Sequence, residues 1–439
     1  MTPDQKLEPP VLYRWIVLFF ISLPMLGNYY IYDSINPLAD IFVKQLGFTD
    51  ENIGWLNSSY SVAAVLTLLI GGIIVDRIGT KKSIALFSFV CLAGAVLTTL
   101  EGSFAMMVAG RTTLGLGAES LIVAVTTALA KWFKGKELSF AFGVNLTIAR
   151  LASVAADRSP SWAGSAFYPN GPQAQPSWQG PLFIAVGAGF ICLVGAAAYW
   201  WLENHAQKRY ALGRAAATDK LQFSQIFRYS RSYWLIVGLC FTFYSAIFPF
   251  RTFAIKFFMH THFNSLPAEL AREQAGFFNS LLPMSAMIAT PLFGLLVDKV
   301  GKRAMFMVFG SFLLMPVYLM MTNPDLTLWV PVAMMGVAFS LVPAIMWPSV
   351  AYIVDESRLG TAYALMTLIQ QIGFFALNLV IGIANDASAA GADNPGGYAL
   401  GMWIFSVLGF LGLFFAILLR RSETGPGGHG LDTIRAGAK

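Results

Sequence analysis

The chain has 439 residues, of which 56% are hydrophobic and only 12% are charged, and its formal net charge is +6. Soluble domains usually carry about 25% charged residues, so this composition excludes an ordinary soluble enzyme, a disordered chain and a nucleic-acid-binding protein. The three cysteines lie in apolar runs and are odd in number, which argues against a disulfide framework. A basic balance on so apolar a chain is typical of a membrane protein.

The chain contains twelve apolar runs, each close to the roughly 20 residues that a membrane-spanning helix needs. They lie at about 14–36, 53–75, 83–101, 104–130, 138–157, 180–203, 232–257, 274–297, 304–322, 326–354, 359–384 and 398–420. The first run is too long for a signal peptide and lacks a small-residue cleavage site, so it predicts a retained helix. The fold class predicted is an all-α integral membrane protein with twelve transmembrane helices.

The longest internal polar stretch, 204–231, lies between the sixth and seventh runs and divides the chain. We expect a six-helix bundle at 1–203, a cytoplasmic linker at 204–231, a second six-helix bundle at 232–421 and a cytoplasmic tail at 422–439. The side that holds both termini and the loops after even-numbered runs carries 22 lysines and arginines, and the other side carries three. Because basic residues collect on the cytoplasmic side, both termini are expected there.

One short motif occurs twice, at an offset of 222 residues, after the second and the eighth runs. The first copy contains Gly72, Asp76, Arg77, Gly79 and Lys81, and the second contains Gly294, Asp298, Lys299, Gly301 and Arg303. Two copies at the same place in each half indicate an internal duplication. Glycines allow close helix approach, and the aspartate can bind a helix end or a basic side chain. We interpret both copies as a cytoplasmic gating latch; the alternative is a solvated tight turn.

Together, the twelve runs, the long central loop and the paired motif resemble the major facilitator superfamily of transporters. Arg111-Thr-Thr-Leu-Gly115-Leu-Gly117 also resembles that superfamily's R-x-x-x-G-x-G signature. Longer motifs, spread over nearly the whole chain, resemble its lysosomal dipeptide transporter branch. These are the residues around Glu119, Trp132–Leu138, Ala149-Arg150, Tyr32-Asp33, Phe248-Pro249-Phe250, Trp347-Pro348 and Leu359–Tyr363. The resemblance implies two six-helix bundles, dipeptide transport by alternating access, uniport and no cofactor.

The chain departs from that branch in loop 158–179 and at Arg251, and no acidic di-leucine signal lies near its N-terminus. We therefore expect a bacterial relative in the inner (plasma) membrane rather than a lysosomal protein. It is expected to act as a monomer without an accessory subunit. Its expected partners are a dipeptide or small zwitterionic substrate and the lipid bilayer, with no nucleic acid.

Two charged residues inside the runs are predicted to lie at the same depth. Glu119 comes twelve residues before Lys131, and Arg150 comes thirteen residues after Glu137. At 1.5 Å per residue, both lie about 18–20 Å from the cytoplasmic end, near the midplane where such transporters bind substrate. Glu119 suits a substrate ammonium group and Arg150 a carboxylate. The alternative is that the two side chains pair with each other.

Further polar and aromatic residues are candidates for the lining of a central cavity, and helix packing is the alternative for each. They are Tyr29, Tyr30, Tyr32, Tyr60, Tyr244, Phe248, Trp347 and Gln370. Asp33 and Arg111, nearer the outer side, are expected to be structural or gating residues, with Arg111 bonding to carbonyl oxygens of neighbouring spans. Arg251 and Lys256 are expected to reach the outer face with their charged ends, and attraction of anionic substrates is the alternative.

Other chemistries find little support in the sequence. His260-Thr-His262 offers two metal ligands at most, and the chain has no nucleotide-binding phosphate loop, so neither a metal site nor ATP hydrolysis is predicted. Two alternative functions stay open. One is a facilitator of organic anions or amino acids, with or without proton coupling, and the other is a non-transporting receptor or scaffold.

Overall fold

The computed structural model describes residues 8–133, 137–171, 174–210, 212, 229–355 and 358–434, and its regular elements are helices. In the first half they are α1 Val11–Asp33, α2 Ala39–Leu46, α3 Asp50–Ile78, α4 Thr80–Leu100, α5 Phe104–Phe133, α6 Leu138–Asp157, α7 Ser159–Trp162, α8 Gly164–Phe167 and α9 Gln179–Arg209. In the second half they are α10 Arg231–Thr261, α11 Ala268–Val300, α12 Arg303–Leu314, α13 Val317–Met321, α14 Trp329–Ile353, α15 Leu359–Ala387 and α16 Ala399–Glu423. Short 3₁₀ turns at Asn36–Leu38 and Pro395–Tyr398 precede α2 and α16.

Length and apolar composition make these helices suitable membrane spans. A helix satisfies its backbone hydrogen bonds internally, which the hydrocarbon core of a bilayer requires. Within the described residues, eleven helices are long and apolar enough to cross a membrane, and twelve when α3, bent by 52° between Leu68 and Ile70, is taken as one span. The all-α fold of twelve predicted membrane helices is confirmed.

The chain forms two compact units. The first comprises Met1–Ile35, Ser59–Ala156 and Ser165–Thr218, and the second comprises Asn36–Ser58, Asp157–Gly164 and Asp219–Lys439. Two segments from the first half of the sequence therefore fold as part of the second unit. The predicted linker 204–231 lies partly outside the described residues, since 211 and 213–228 are not among them.

The two copies of the repeated motif end in the same kind of turn. Gly79 has a φ of +80° and Gly301 a φ of +76°, a region in which an L side chain is strained. In the second copy, Arg303 Nη2 lies 2.6 Å from Asp298 Oδ1. In the first copy, Lys81 Nζ donates instead to Asn204 Oδ1 at 2.5 Å and to a second amide on α9. The duplicated glycine thus sets the chain reversal, while the two copies anchor their basic residues differently.

The segment after α16 folds back onto the start of α12. Asp432 accepts hydrogen bonds from the backbone amides of Ala304 (2.9 Å) and Met305 (3.3 Å), as an N-cap does. The Leu431 side chain is fully buried, and its carbonyl accepts from the Arg303 amide at 3.2 Å. This part of the predicted tail is therefore an integral part of the second unit.

Candidate substrate-binding site

Glu119 lies on α5 of the first unit, half-buried, and its carboxylate is held by a tyrosine from α3. The Tyr60 hydroxyl donates to Glu119 Oε1 at 3.1 Å. Tyr60 itself is only 5% exposed, so its ring belongs to the packed core and its hydroxyl reaches the edge of the site. A carboxylate fixed in this way offers negative charge at a defined position inside the helical bundle.

Arg150 lies on α6 of the same unit, beside an aromatic ring of α1. Its guanidinium carbon is 5.7 Å from the centre of the Tyr29 ring, within the range of a cation–π contact. Each of the two predicted charges is therefore in contact with a tyrosine of the first unit, Glu119 with Tyr60 and Arg150 with Tyr29. Tyr30, the next residue, is buried in the hydrophobic core of this unit.

Arg111, on the same helix as Glu119, is almost completely buried at 1% exposure. Its Nη1 atom donates to the carbonyl oxygens of Tyr32 (3.1 Å) and Ile31 (3.4 Å), near the end of α1. These last-turn carbonyls lack partners within their own helix and attract cations. Asp33 ends the same helix and is buried at 2% exposure.

In the second unit, three of the predicted site residues form one aromatic cluster, which consists of Tyr244, Phe248 and Trp347. The Trp347 indole Nε1 donates to the Tyr244 hydroxyl at 2.9 Å, and the Tyr244 and Phe248 rings stack at 5.8 Å. The carbonyl oxygen of Trp347 accepts from Tyr363 at 3.1 Å, which fixes the cluster from α15. Gln370, also on α15, accepts from Cys240 Sγ at 3.8 Å and so contacts the same helix, α10.

The structure also contains a polar constellation that the sequence did not predict. Asp157, completely buried in the second unit, accepts from Arg251 Nη2 at 2.7 Å, Asn279 Nδ2 at 2.9 Å and Asn36 Nδ2 at 3.2 Å. Three donors on one carboxylate compensate much of the cost of burying its charge. Arg251 is 4% exposed, so the expectation that it reaches the outer face is wrong.

Lys256 is likewise buried and forms an ion pair with Asp50, which also accepts from Asn385 Nδ2 at 3.0 Å. The expectation that Lys256 reaches the outer face is therefore also wrong. Beside this pair, Asp386 on α15 accepts from the first two amides of α3, those of Asp50 (2.8 Å) and Glu51 (2.7 Å). A carboxylate at a helix N-terminus is favoured by the helix dipole.

One signal in the sequence could have revealed these two pairs and a third buried pair, between Arg272 and Asp40. Asp40, Asp50 and Asp157 stand at the ends of apolar runs on the predicted outer side, and Arg251, Lys256 and Arg272 stand at run ends on that same side. Three acids and three bases at one level suggest pairing. The sequence alone does not say which acid meets which base, because the partners are 94 to 232 residues apart.

The two clustered histidines both bond to protein groups. His260 Nδ1 lies 2.8 Å from the Tyr398 hydroxyl, and His262 Nε2 lies 2.8 Å from the Met321 carbonyl oxygen. Among the residues that the structure describes, no group of three or more histidine, cysteine, aspartate or glutamate side chains is arranged to hold a metal ion.

Comparison with known proteins identifies the family to which this chain belongs. The Major Facilitator Superfamily model matches residues 18–378. The lysosomal dipeptide transporter MFSD1 of Danio rerio is 30% identical over 377 residues, which cover 85% of this chain and 80% of that protein. The protein of the same name from Homo sapiens is 29% identical over 383 residues, with 85% and 80% covered.

A solved structure agrees with this result at the level of the fold. It is a bacterial homologue of the human lysosomal transporter Spinster, in an inward-facing and occupied conformation, with a TM-score of 0.73 and 15% identity. The match covers 94% of this chain and 98% of that one. With its apolar helices, duplicated motif and buried charges, the chain is an integral membrane transporter, not an enzyme, and it belongs to the major facilitator superfamily.

Proposed function

We propose that this transporter carries dipeptides, with Glu119 binding the substrate ammonium group and Arg150 binding its carboxylate. The observation that carries the proposal is the placement of both charges within helices of one unit, where Glu119 bonds to Tyr60 and Arg150 lies over the Tyr29 ring. An ionisable residue within a membrane span is costly, about 2.5–3.5 kcal/mol on insertion scales, and usually has a functional reason. The relatives named as lysosomal dipeptide transporters support the same substrate class.

Further candidate contacts for a substrate are aromatic and polar side chains. In the first unit, Tyr60 and Tyr29 lie beside Glu119 and Arg150. In the second unit, Tyr244, Phe248 and Trp347 are joined by ring contacts and one hydrogen bond, and Gln370 contacts the same helix, α10. Aromatic rings with a polar atom can contact varied apolar side chains and still hydrogen-bond a peptide group.

The test combines variants of the protein with variants of the ligand. Purified protein is heated with alanyl dipeptides whose second residue is apolar, acidic or basic, and with their N-acetylated and C-amidated forms. Ligands that bind the folded state raise the melting temperature by mass action. We expect wild type to lose most of this shift when either end is blocked. Glu119→Gln should bind weakly and be insensitive to N-acetylation, while Arg150→Ala should be insensitive to amidation.

The matched control is Glu137→Gln, because Glu137 is a half-exposed acid just before α6 that pairs with Arg14 at 3.4 Å. It should respond to the ligand panel as wild type does. Wild-type responses in both Glu119→Gln and Arg150→Ala would overturn the site. A shift only with carboxylates that lack an amine would replace the dipeptide by an organic anion, and no shift with any alanyl dipeptide would contradict the proposed substrate.

We further propose uniport by alternating access, with the two motif copies as the gating latch. In proteoliposomes, uniport predicts the same initial rate of dipeptide uptake with and without an imposed pH gradient. A rate that follows the gradient would indicate proton coupling instead. Uptake that is absent from the wild-type protein, although the ligand panel binds, would favour a receptor.

We also propose a bacterial inner-membrane location with both termini in the cytoplasm, on the strength of the lysine and arginine distribution. The three native cysteines are buried, so an introduced exposed cysteine can be labelled selectively. In intact cells, an impermeant maleimide should label Asp393→Cys, in the loop before α16, and not Thr433→Cys, in the tail. The reverse labelling pattern would invert the proposed orientation.

A further inference from the structure

Helix α5 carries Arg111, Gly115 and Glu119 at a spacing of four residues, which places all three on one face of the helix. This face contacts two tyrosines, Tyr32 and Tyr60. Arg111 lies over the Tyr32 ring, Gly115 lies against the Tyr60 backbone, and Glu119 accepts from the Tyr60 hydroxyl. The R-x-x-x-G-x-G signature and the candidate binding residue thus share one surface. The role of Arg111 can therefore be assessed from what this surface contacts.

Gly115 allows α3 to come close at this face. A Cβ atom at this position would lie 2.4 Å from the Tyr60 carbonyl oxygen, a distance that real Cβ atoms essentially never show. Since the obstacle is backbone, any larger side chain at position 115 would push Tyr60 away. The glycine therefore permits the approach that brings the Tyr60 hydroxyl to 3.1 Å from Glu119.

Arg111 holds the ring that carries this hydroxyl. Its guanidinium carbon lies 5.2 Å from the centre of the Tyr32 ring and 5.7 Å from the centre of the Tyr60 ring, and the two ring centres are 4.7 Å apart. The guanidinium is itself fixed by the carbonyl oxygens of Ile31 and Tyr32. A buried cation on aromatic faces is a stronger attachment than the same contact in water.

We propose that Arg111 and Tyr60 are positioning residues for substrate binding, and that they hold the Glu119 carboxylate where it meets the substrate ammonium group. Arg111 orders the two tyrosine rings against the end of α1, and Tyr60 transmits that order to Glu119 through one hydrogen bond. This inference rests on the proposed function of Glu119. It gives the arginine of the signature a task at the binding site, beyond the structural or gating role expected from the sequence.

The central variant is Tyr60→Phe, which keeps the ring over Arg111 and removes only the hydrogen bond to Glu119. We expect the KM for the best-binding alanyl dipeptide to rise about tenfold, with the maximal uptake rate retained, since a hydrogen bond to a charged group is the interaction lost. Affinity for the N-acetylated form of the same dipeptide should not change. A loss of packing would weaken the binding of both ligands equally. Comparing the affinities for the free and N-acetylated dipeptides therefore separates a positioning role of Tyr60 from a structural one.

Arg111→Lys is the second variant, because it keeps the charge and loses the planar fork that contacts two carbonyls and two rings. Since both residues act through one hydrogen bond, the double variant Tyr60→Phe/Arg111→Lys should have a KM no higher than the worse single variant. The matched control is Tyr318→Phe, which removes the hydroxyl of another fully buried tyrosine, bonded to the Ala246 carbonyl in the second unit. It should transport as wild type does.

Glu119→Gln serves to distinguish the two proposals. If Glu119→Gln abolishes dipeptide uptake while Tyr60→Phe keeps the wild-type KM, the positioning role is overturned and the proposed function stands. If Glu119→Gln itself transports as wild type does, the proposed function fails and the positioning role falls with it. Additive increases in KM for the double variant would also contradict the inference. If Arg111→Lys folds poorly, Tyr60→Phe alone still tests the inference, through the comparison of the free and N-acetylated dipeptides.

Discussion

Arg272 and Asp40 form a buried ion pair with two hydrogen bonds, Nη2 to Oδ2 at 2.7 Å and Nη1 to Oδ1 at 3.3 Å. The two side chains are 1% and 2% exposed. Asp40 belongs to α2, in the first half of the sequence, and Arg272 belongs to α11, so the pair fastens α2 within the second unit. The Asp157–Arg251 and Asp50–Lys256 pairs attach the segments around α7 and α3 in the same way.

Removing one member of this pair should be costly. Arg272→Ala leaves Asp40 as a buried charge without its main partner, and such changes destabilise by about 3–5 kcal/mol. We expect a large drop in melting temperature in detergent. Lys44→Ala is the matched control, because Lys44 lies 3.8 Å from the same Asp40 oxygen but its side chain is 56% exposed, and an exposed pair contributes only about 0–1 kcal/mol. Equal melting temperatures for the two variants would contradict the conclusion that the buried Arg272 stabilises the fold more than the exposed Lys44 does.

Gly382 marks where α15 packs directly against the start of α3. A Cβ atom there would lie 2.4 Å from the Asp50 carbonyl oxygen, so Gly382→Ala should force the two helices apart and lower the melting temperature. Gly187→Ala, on an exposed face of α9 with open space around it, should be neutral or stabilise by up to about 1 kcal/mol, since alanine favours the helix. If both substitutions changed the melting temperature equally, the close contact between Gly382 and Asp50 could not explain the change.

Trp347→Phe tests the aromatic cluster of the second unit. The substitution keeps an aromatic ring and removes the indole donor to Tyr244, which should cost about 1 kcal/mol of stability. We also expect a higher KM for dipeptides, because Tyr244 loses the bond that orients its hydroxyl. Trp329→Phe, at a 54% exposed position that contacts Phe277 and Phe278, should leave uptake kinetics unchanged. A wild-type KM in Trp347→Phe would remove this cluster from the binding site.

Asp432→Ala removes the side chain that caps α12. The loss of a capping residue costs about 0.5–2 kcal/mol, and the backbone amides of Ala304 and Met305 should exchange with solvent deuterium faster. Thr433→Ala, next to it, should leave this exchange as in wild type, because the Thr433 hydroxyl bonds to the Gly430 carbonyl within the same turn. Exchange at residues 303–306 that is unchanged in Asp432→Ala would show that the tail does not hold this helix.

The apolar runs predicted the helices well, since a membrane span needs a long apolar segment that can be counted directly in the sequence. Glu119 and Arg150 could also be picked out, because a charge inside such a segment is rare. What the runs could not reveal is the environment of charges near their ends. Arg251 and Lys256 look like side chains that reach water, and only the folded chain brings Asp157 and Asp50 to them.

Tyr60 illustrates the same limit within the candidate site. Its place in an apolar helix is compatible with packing or with binding, and the structure shows a ring packed in the core whose hydroxyl donates to Glu119. The carbonyl partners of Arg111 could be predicted, but its two tyrosine rings could not, because cation–π geometry depends on the rotation of α1, α3 and α5 about their own axes. Sequence spacing predicts how deep a residue lies along its helix far better than it predicts which residues of other helices that residue contacts.

The folded-back segment after α16 determines where this protein can be shortened or tagged. Glu423, where the last membrane helix ends, looks like a natural boundary for a purification tag or a fluorescent fusion partner. A junction there would remove both the carboxylate of Asp432 that caps α12 and the buried side chain of Leu431, which packs in the hydrophobic core. A junction after Ile434 keeps both, so two fusion proteins that differ by only eleven residues should behave very differently during purification.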